Sequence, residues 1–132
     1  LLKNNPMSDK ELSPTLTEQE REEIEKKAIE LASKHNVSKV HYYVHVAHDR
    51  DNERIVAYVT EPNYLTKIAL MDKARTIGLN MAADELRLIC QLREESHPLT
   101  YGEHSECDKY KLGVSQMCIG VIDIALDMIK KN

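Results

Sequence analysis

The residues able to do chemistry fall into two groups: His41, His45 and His48 in one run, and His97, His104 and Cys107 in another. Imidazole nitrogens and thiolates are the usual protein ligands of zinc, and a thiol beside an imidazole is a common covalent nucleophile. On an extended chain His41 and His45 share a face but stand about 13 Å apart, too far to hold one ion. They are read, with His48, as the polar face of a strand. His104-x-x-Cys107 has ligand-like spacing, but a closed tetrahedral site needs two more donors, and only His97 and the distant Cys118 could supply them. No CxxC pair stands beside them. Near a helix start, Cys107 could act as a thiolate with His104 or His97 as base. The third oriented partner and the oxyanion hole of such a site are missing. Asp49, Asp51 and Glu53 alternate as in calcium loops, without the glycine or the closing bidentate Glu. The four glycines build neither GxGxxG nor GxxxxGK. The expectation is a protein without a catalytic residue or cofactor. His97, His104 and Cys107 are kept as the candidates for the alternative reading, a small metal- or Cys-dependent enzyme or sensor.

The bulk properties narrow the classes further. The chain of 132 residues fits one domain. Its net charge of −4, with no Lys/Arg run longer than two, lacks the footprint of a nucleic-acid binder. Cys90, Cys107 and Cys118 make an odd count, so a reducing cytosol is expected rather than a disulfide framework. No stretch is read as reaching the roughly 18 apolar residues of a membrane span. With six Tyr and no Phe or Trp, the core must come from Ile, Leu, Val, Met and Ala.

Several elements must position these residues. Residues 1–16 carry Pro6 and Pro14 without periodicity and are expected to form a flexible arm; Met7 is read as the natural start, with Leu1–Pro6 outside the fold. Thr17-Glu18-Gln19-Glu20 is a capping box opening a helix with Ile24, Ala28, Leu31 and Ala32 on one stripe. From Val37 the period changes to two, with Val40, Tyr42, Val44 and Val46 facing one way and His41, Tyr43, His45 and Ala47 the other. A polar turn at 48–52 and the run Arg54 to Thr60 complete a hairpin. Glu61-Pro62 ends it, and Asn63 caps a helix with Leu65, Ile68, Ala69 and Met71 inside. Gly78 marks a break. A third helix, Asn80 to about Arg93, carries Leu79, Ala82, Ala83, Leu86, Ile89 and Cys90 on one face. The last helix opens at Ser105-Glu106-Cys107-Asp108 and runs to about Lys130. Tyr110, Val114, Met117, Cys118, Val121, Ala125 and Met128 share one side of it, and Leu112, Ile119, Ile122 and Leu126 cover much of the rest. Gly113 and Gly120 share a stripe that a neighbouring helix could approach. The fold is therefore α+β: one domain over 17–132, a two-stranded antiparallel ribbon with about four helices in the order αββααα, and a helical C-terminal half.

Each reactive group has an ordinary structural role, but the apolar surface does not. A lone hairpin is marginal in water, and the last helices are apolar over much of their circumference. Surplus apolar surface and an unpaired ribbon edge point to partner contact and a homo-oligomer. The expected contact residues are Tyr42, Val44, Val46, Val56, Tyr58, Leu112, Ile119, Ile122 and Leu126. A further reading is a regulatory protein that captures a small ligand or a host defence protein.

The ribbon closing on Ala57-Tyr58-Val59-Thr60-Glu61-Pro62-Asn63 is followed by a helix, then by Ala82-Ala83 with Leu86, Cys90 and Leu92. An acidic loop leads to Asp108-x-Tyr110 and a last helix ending Lys130-Lys131. Over residues 37–131 this order resembles small proteins of bacteriophage and prophage morphogenesis clusters, of the tail-assembly-chaperone type. The His-rich ribbon, the long preceding helix and the Cys107 loop set this chain apart from them. The resemblance implies a non-enzymatic protein that binds itself and other phage proteins in virion assembly, or a minor virion component. It would act in the cytoplasm of a bacterial host or in the virion.

Overall fold

The computed structural model describes residues 12–131, and Leu1–Pro6 and Met7 lie outside them. The elements are α1 (Glu18–Lys34), β1 (Val40–Ala47), β2 (Glu53–Thr60), α2 (Tyr64–Thr76), α3 (Leu79–Cys90) and α4 (Asp108–Lys131), with short 3₁₀ turns between. The order αββααα and the helical C-terminal half agree with the pattern expected from sequence.

Helix α1 begins where the capping box places it. Thr17 Oγ1 accepts from Glu20 N–H at 3.1 Å, and Glu20 Oε1 accepts from Thr17 N–H at 2.9 Å. Replacing Thr17 by Ala is expected to lower stability by about 1 kcal/mol in chemical denaturation, with the midpoint moving and the slope unchanged. The helix ends at His35, and Asn36 turns out of it at φ 54°. Ile24, Ala28 and Leu31 are buried, as the stripe requires.

The ribbon pairs Val40 with Thr60 through to Ala47 with Glu53, and Asp51 and Asn52 turn its end in left-handed conformations. Both of its faces are covered from within the chain. Val40, Tyr42, Val44, Val56 and Tyr58 meet Ile24, Ala28 and Leu31 of α1. On the other face, Ala57 and Val59 join Leu70, Leu86, Val114 and Cys118 of the three following helices. Ala47 and Ile55 close a third cluster with Leu99, Cys107 and Tyr110. The hairpin, marginal alone, thus becomes the middle layer of a helix–ribbon–helix sandwich.

Residues 91–97 change the third helix from its expected course. The helix stops at Cys90 instead of running to about Arg93, because the chain there turns to pair with the edge of β2. Val59 bridges Gln91, Leu92 N–H donates to Tyr58 C=O at 2.8 Å, and His97 N–H donates to Val56 C=O at 2.8 Å. Tyr58 N–H in turn donates to Ser96 Oγ at 3.1 Å. The edge of β2 is therefore sealed. Main-chain hydrogen bonds supplied by the sheet outweigh the continuing helical pattern of Leu92 and Arg93.

The helical faces also differ in detail from the expected ones. In α2 Leu70 and Met71 are buried, while Leu65 is 77% exposed. In α3 Ile89 is exposed and Arg87 is buried. In α4 the inward row is Tyr110, Val114, Cys118 and Ile122, four residues apart, and Met128 is exposed. The start of α4 differs too: Ser105–Cys107 forms a 3₁₀ turn after His104, with no side-chain capping bond. The helical stretch Ser105–Ile129 is long and apolar enough to cross a membrane by length and composition, although its apolar residues do not form an uninterrupted run. Ser115, Gln116 and Asp123 break the apolar run without adding much charge. The inward row of this helix packs on the ribbon and α3.

Of the arm expected over residues 1–16, residues 12–16 are tied to the ribbon. Arg54 Nη1 donates to Ser13 C=O at 2.7 Å and Nη2 to Thr15 C=O at 2.9 Å, and Asn52 Nδ2 donates to Leu12 C=O at 3.1 Å.

Candidate interaction surface

The reactive side chains of the two groups each meet a structural partner or lie exposed. His97 Nε2 lies 2.7 Å from Glu53 Oε2, and its Nδ1 accepts from Leu99 N–H at 3.1 Å, so both ring nitrogens are engaged. Cys107 is buried in the cluster around Ile55 and Tyr110, while His104 is exposed. Among the described residues no three His, Cys, Asp or Glu side chains are grouped to hold a metal ion. Cys90 and Cys118 lie in the main core, where burial pushes the Cys118 thiol up to about 12. A thiol held neutral in this way is a packing group. On the ribbon His41 is spent on Glu61 at 2.6 Å, His48 hydrogen-bonds Asn52 at 3.0 Å, and His45 is exposed.

The expected contact residues separate into two sets. Tyr58 and Ile122 are buried inside the chain; Tyr42, Val44 and Val56 pack against the α1 cluster, and Ile119 and Leu126 against the main core. Val46 is half-buried opposite Arg54. Leu112 alone is broadly open, at 69% exposure. The ribbon side chains are thus consumed by the fold. Sequence could not show this, because period-two alternation does not say whether a face meets its own helices or another chain.

Exposed apolar side chains are spread over several helices, and one stretch lies along the C-terminal half of α4, where Ile124 and Met128 are each 63% exposed and Ile129 is 46% exposed. A groove runs along each side of this half-helix. One, of about 630 Å³, lies against α2 and is walled by Tyr64, Ile68, Met71, Val121 and Met128. The other, of about 600 Å³, lies against α1, between Ala28 and Ile29 on one wall and Met117, Gly120 and Ile124 on the other. The first residues of β1 form its floor. Ile124 and His41 border both grooves.

One polar cluster at this surface is mutually satisfied. Glu61 receives His41 Nε2 at 2.6 Å on one oxygen and Lys67 Nζ at 2.6 Å on the other. Burial works to raise its pKa, but Lys67 and His41 outweigh burial and hold the carboxyl below its usual range. A carboxylate with both oxygens engaged positions the start of α2 against β1 and is not placed as a general base. A third groove, between α3 and α4, is crossed by a polar tie: Arg87 Nε and Ser115 Oγ both donate to Asp84 Oδ1, at 2.8 and 2.7 Å.

The two glycines expected to share a helix-facing stripe have different roles. Gly113 receives the ring of Tyr43 from the ribbon, and a Cβ there would lie 2.5 Å from Tyr43 Cε1. Gly120 has nothing within 4 Å and opens onto the α1 groove.

No family model, curated protein or solved structure matches the chain.

Proposed function

We propose that this protein acts by contact rather than catalysis, as a self-associating component of bacteriophage or mobile-element assembly. One observation carries the contact reading: the half-helix from Val121 to Ile129 keeps Ile124, Met128 and Ile129 in solvent between two apolar grooves. Large exposed apolar surface bordered by grooves is the form that protein-binding surfaces take. The setting in virion assembly rests on the resemblance of residues 37–131 to tail-assembly-chaperone-type proteins. Tail or capsid genes beside the coding gene would support that setting, and a metabolic operon would remove it.

The contact reading is tested by light scattering across a concentration series. The wild-type chain is expected to form oligomers, and Ile124→Glu is expected to shift the dissociation constant by at least about tenfold, since a charge forced into an apolar contact must be desolvated. Ile124 is exposed, so the variant monomer keeps its fold. A wild-type chain that stays monomeric at high concentration would remove self-association.

A second reading follows from the groove beside α2. Its size and apolar walls, with the His41–Glu61–Lys67 group at one end, are those of a small-ligand pocket. Native mass spectrometry of the purified protein distinguishes this reading by a bound mass of a few hundred daltons.

A further inference from the structure

The β1 edge carries the next inference, which rests on the contact reading and names the partner. Glu61 N–H donates to Lys39 C=O at 2.9 Å, one step beyond the Val40–Thr60 pair, and Asn52 N–H donates to Ala47 C=O at the other end. In an antiparallel ladder hydrogen-bonded pairs alternate. His41, Tyr43, His45 and Ala47 therefore exchange bonds with β2, while Val40, Tyr42, Val44 and Val46 turn their N–H and C=O groups outward. The same alternation turns Val56 and Tyr58 outward on β2, and there residues 92–97 meet them. On β1 no main-chain group among the described residues meets the outward row. One edge of the ribbon is sealed, and the other is unpaired, with Val40 buried at 4% exposure and Tyr42, Val44 and Val46 partly exposed.

The open edge does not face bulk water on all sides. Its first half, Lys39–Tyr42, is the floor of the groove between α1 and α4. Ile29 overhangs it from α1 at 72% exposure and Ile124 from α4 at 63%, with Gly120 leaving room in the wall. A row of unpaired peptide groups beside apolar rims is complementary to the edge of an extended strand, which supplies the missing main-chain partners.

We propose that this strand is β1 of a second copy, added antiparallel about a two-fold axis to give a continuous four-stranded sheet. An outward row on an antiparallel edge is self-complementary, so one patch serves both copies. The row is Val, Tyr, Val and Val, residues suited to strands. The groove rim carries both signs, Lys39 and Glu25, and Glu25 accepts from Tyr42 Oη at 2.9 Å. The chain's own N-terminal residues are poor occupants. Leu12 is held at the turn end of the ribbon by Asn52, the groove lies at the opposite end, and residues 1–11 carry Pro6, Asp9, Lys10 and Glu11 in place of a β-branched run.

The test is amide hydrogen exchange of the full chain at low and high protein concentration, read beside sedimentation velocity. Tyr42 and Val44 amides are expected to exchange at least about tenfold more slowly at high concentration, in step with dimer formation. Val44→Pro removes an outward N–H that the ribbon itself does not use, so the monomer keeps its sheet while dimerisation weakens at least about tenfold. If that variant fails to fold, Ile29→Glu on the exposed rim is expected to weaken the dimer likewise. Association with Tyr42 and Val44 still exchanging fast would overturn the strand pairing and leave the α4 contact reading standing. A strict monomer would overturn both. Protection of these amides that does not depend on concentration would assign the edge to the chain's own tail and overturn the second copy as occupant.

Discussion

Arg54→Ala is expected to lower stability by about 2–3 kcal/mol, the larger of the two strongest effects. The Arg54 side chain is 11% exposed, and all of its donors converge on one corner of the molecule. Nε donates to Glu20 Oε2 at 2.8 Å and Nη2 to Glu20 Oε1 at 2.9 Å, a bidentate pair. The remaining donors take the carbonyls of Ser13, Thr15 and Asn52. One guanidinium thus ties the start of α1, residues 13–15 and the hairpin turn to β2. Glu20 is also the second half of the capping box. After the substitution it keeps Thr17 and gains water, which is why the loss stays below that of a fully buried pair.

The same contact gives a pH signature. Hydrogen bonding from Arg54, then from Thr17, holds the Glu20 carboxyl below its ordinary range. A carboxylate whose folded pKa is depressed contributes stability above its unfolded pKa of about 4.3, and that contribution is lost as pH falls through the folded value. The stability gap between wild type and Arg54→Ala is therefore expected to be full near neutral pH and to shrink as pH falls below about 4. Urea midpoints measured across that range check the sign; a gap that widens in acid would refute the assignment.

The second effect is a contrast between two glycines of one helix. Gly113→Ala is expected to destabilise by up to about 2 kcal/mol, the balance of an overpacking cost of about 1–3 against a gain in helix propensity of about 1. The added carbon meets the Tyr43 ring, which lies between the ribbon and α4. Gly120→Ala meets nothing and is expected to stabilise the dilute monomer by about 1 kcal/mol through helix propensity. Thermal melts at low concentration should move in opposite directions for the two variants. A parallel shift would mean that the Tyr43–Gly113 contact does not form. At high concentration the Gly120 variant carries a second signal, because its methyl enters the groove that the partner strand is proposed to use.

Much of the architecture was legible in the sequence because it rests on local physics. The Thr17–Glu20 capping box, the change of period at Val37, Pro62 after the strand, the Asn63 cap and Gly78 at φ 137° each act within a few residues of themselves. They determine where elements begin and end, and hence the order αββααα. The stripe of α1 could also be read, because its apolar residues are concentrated on one side.

What tertiary structure decided was which faces meet. Helix α2 spreads Leu65, Ile68, Ala69, Leu70 and Met71 around its circumference, so only its neighbours select Leu70 and Met71 for burial. The course of residues 91–97 follows from the open hydrogen bonds of β2, partners more than thirty residues away in the chain. The contact surface moved for the same reason. Alternation along the ribbon identified apolar faces, but α1 on one side and α3 and α4 on the other consume them, and Ile124, Met128 and Ile129 on the second half of α4 are left exposed. Gly113 and Gly120 are equivalent in spacing, and only packing separates them, one beneath Tyr43 and one open. The sequence by itself determined the elements and their order; the pairing of faces, and so which apolar surface is left exposed, was decided by contacts between residues far apart along it.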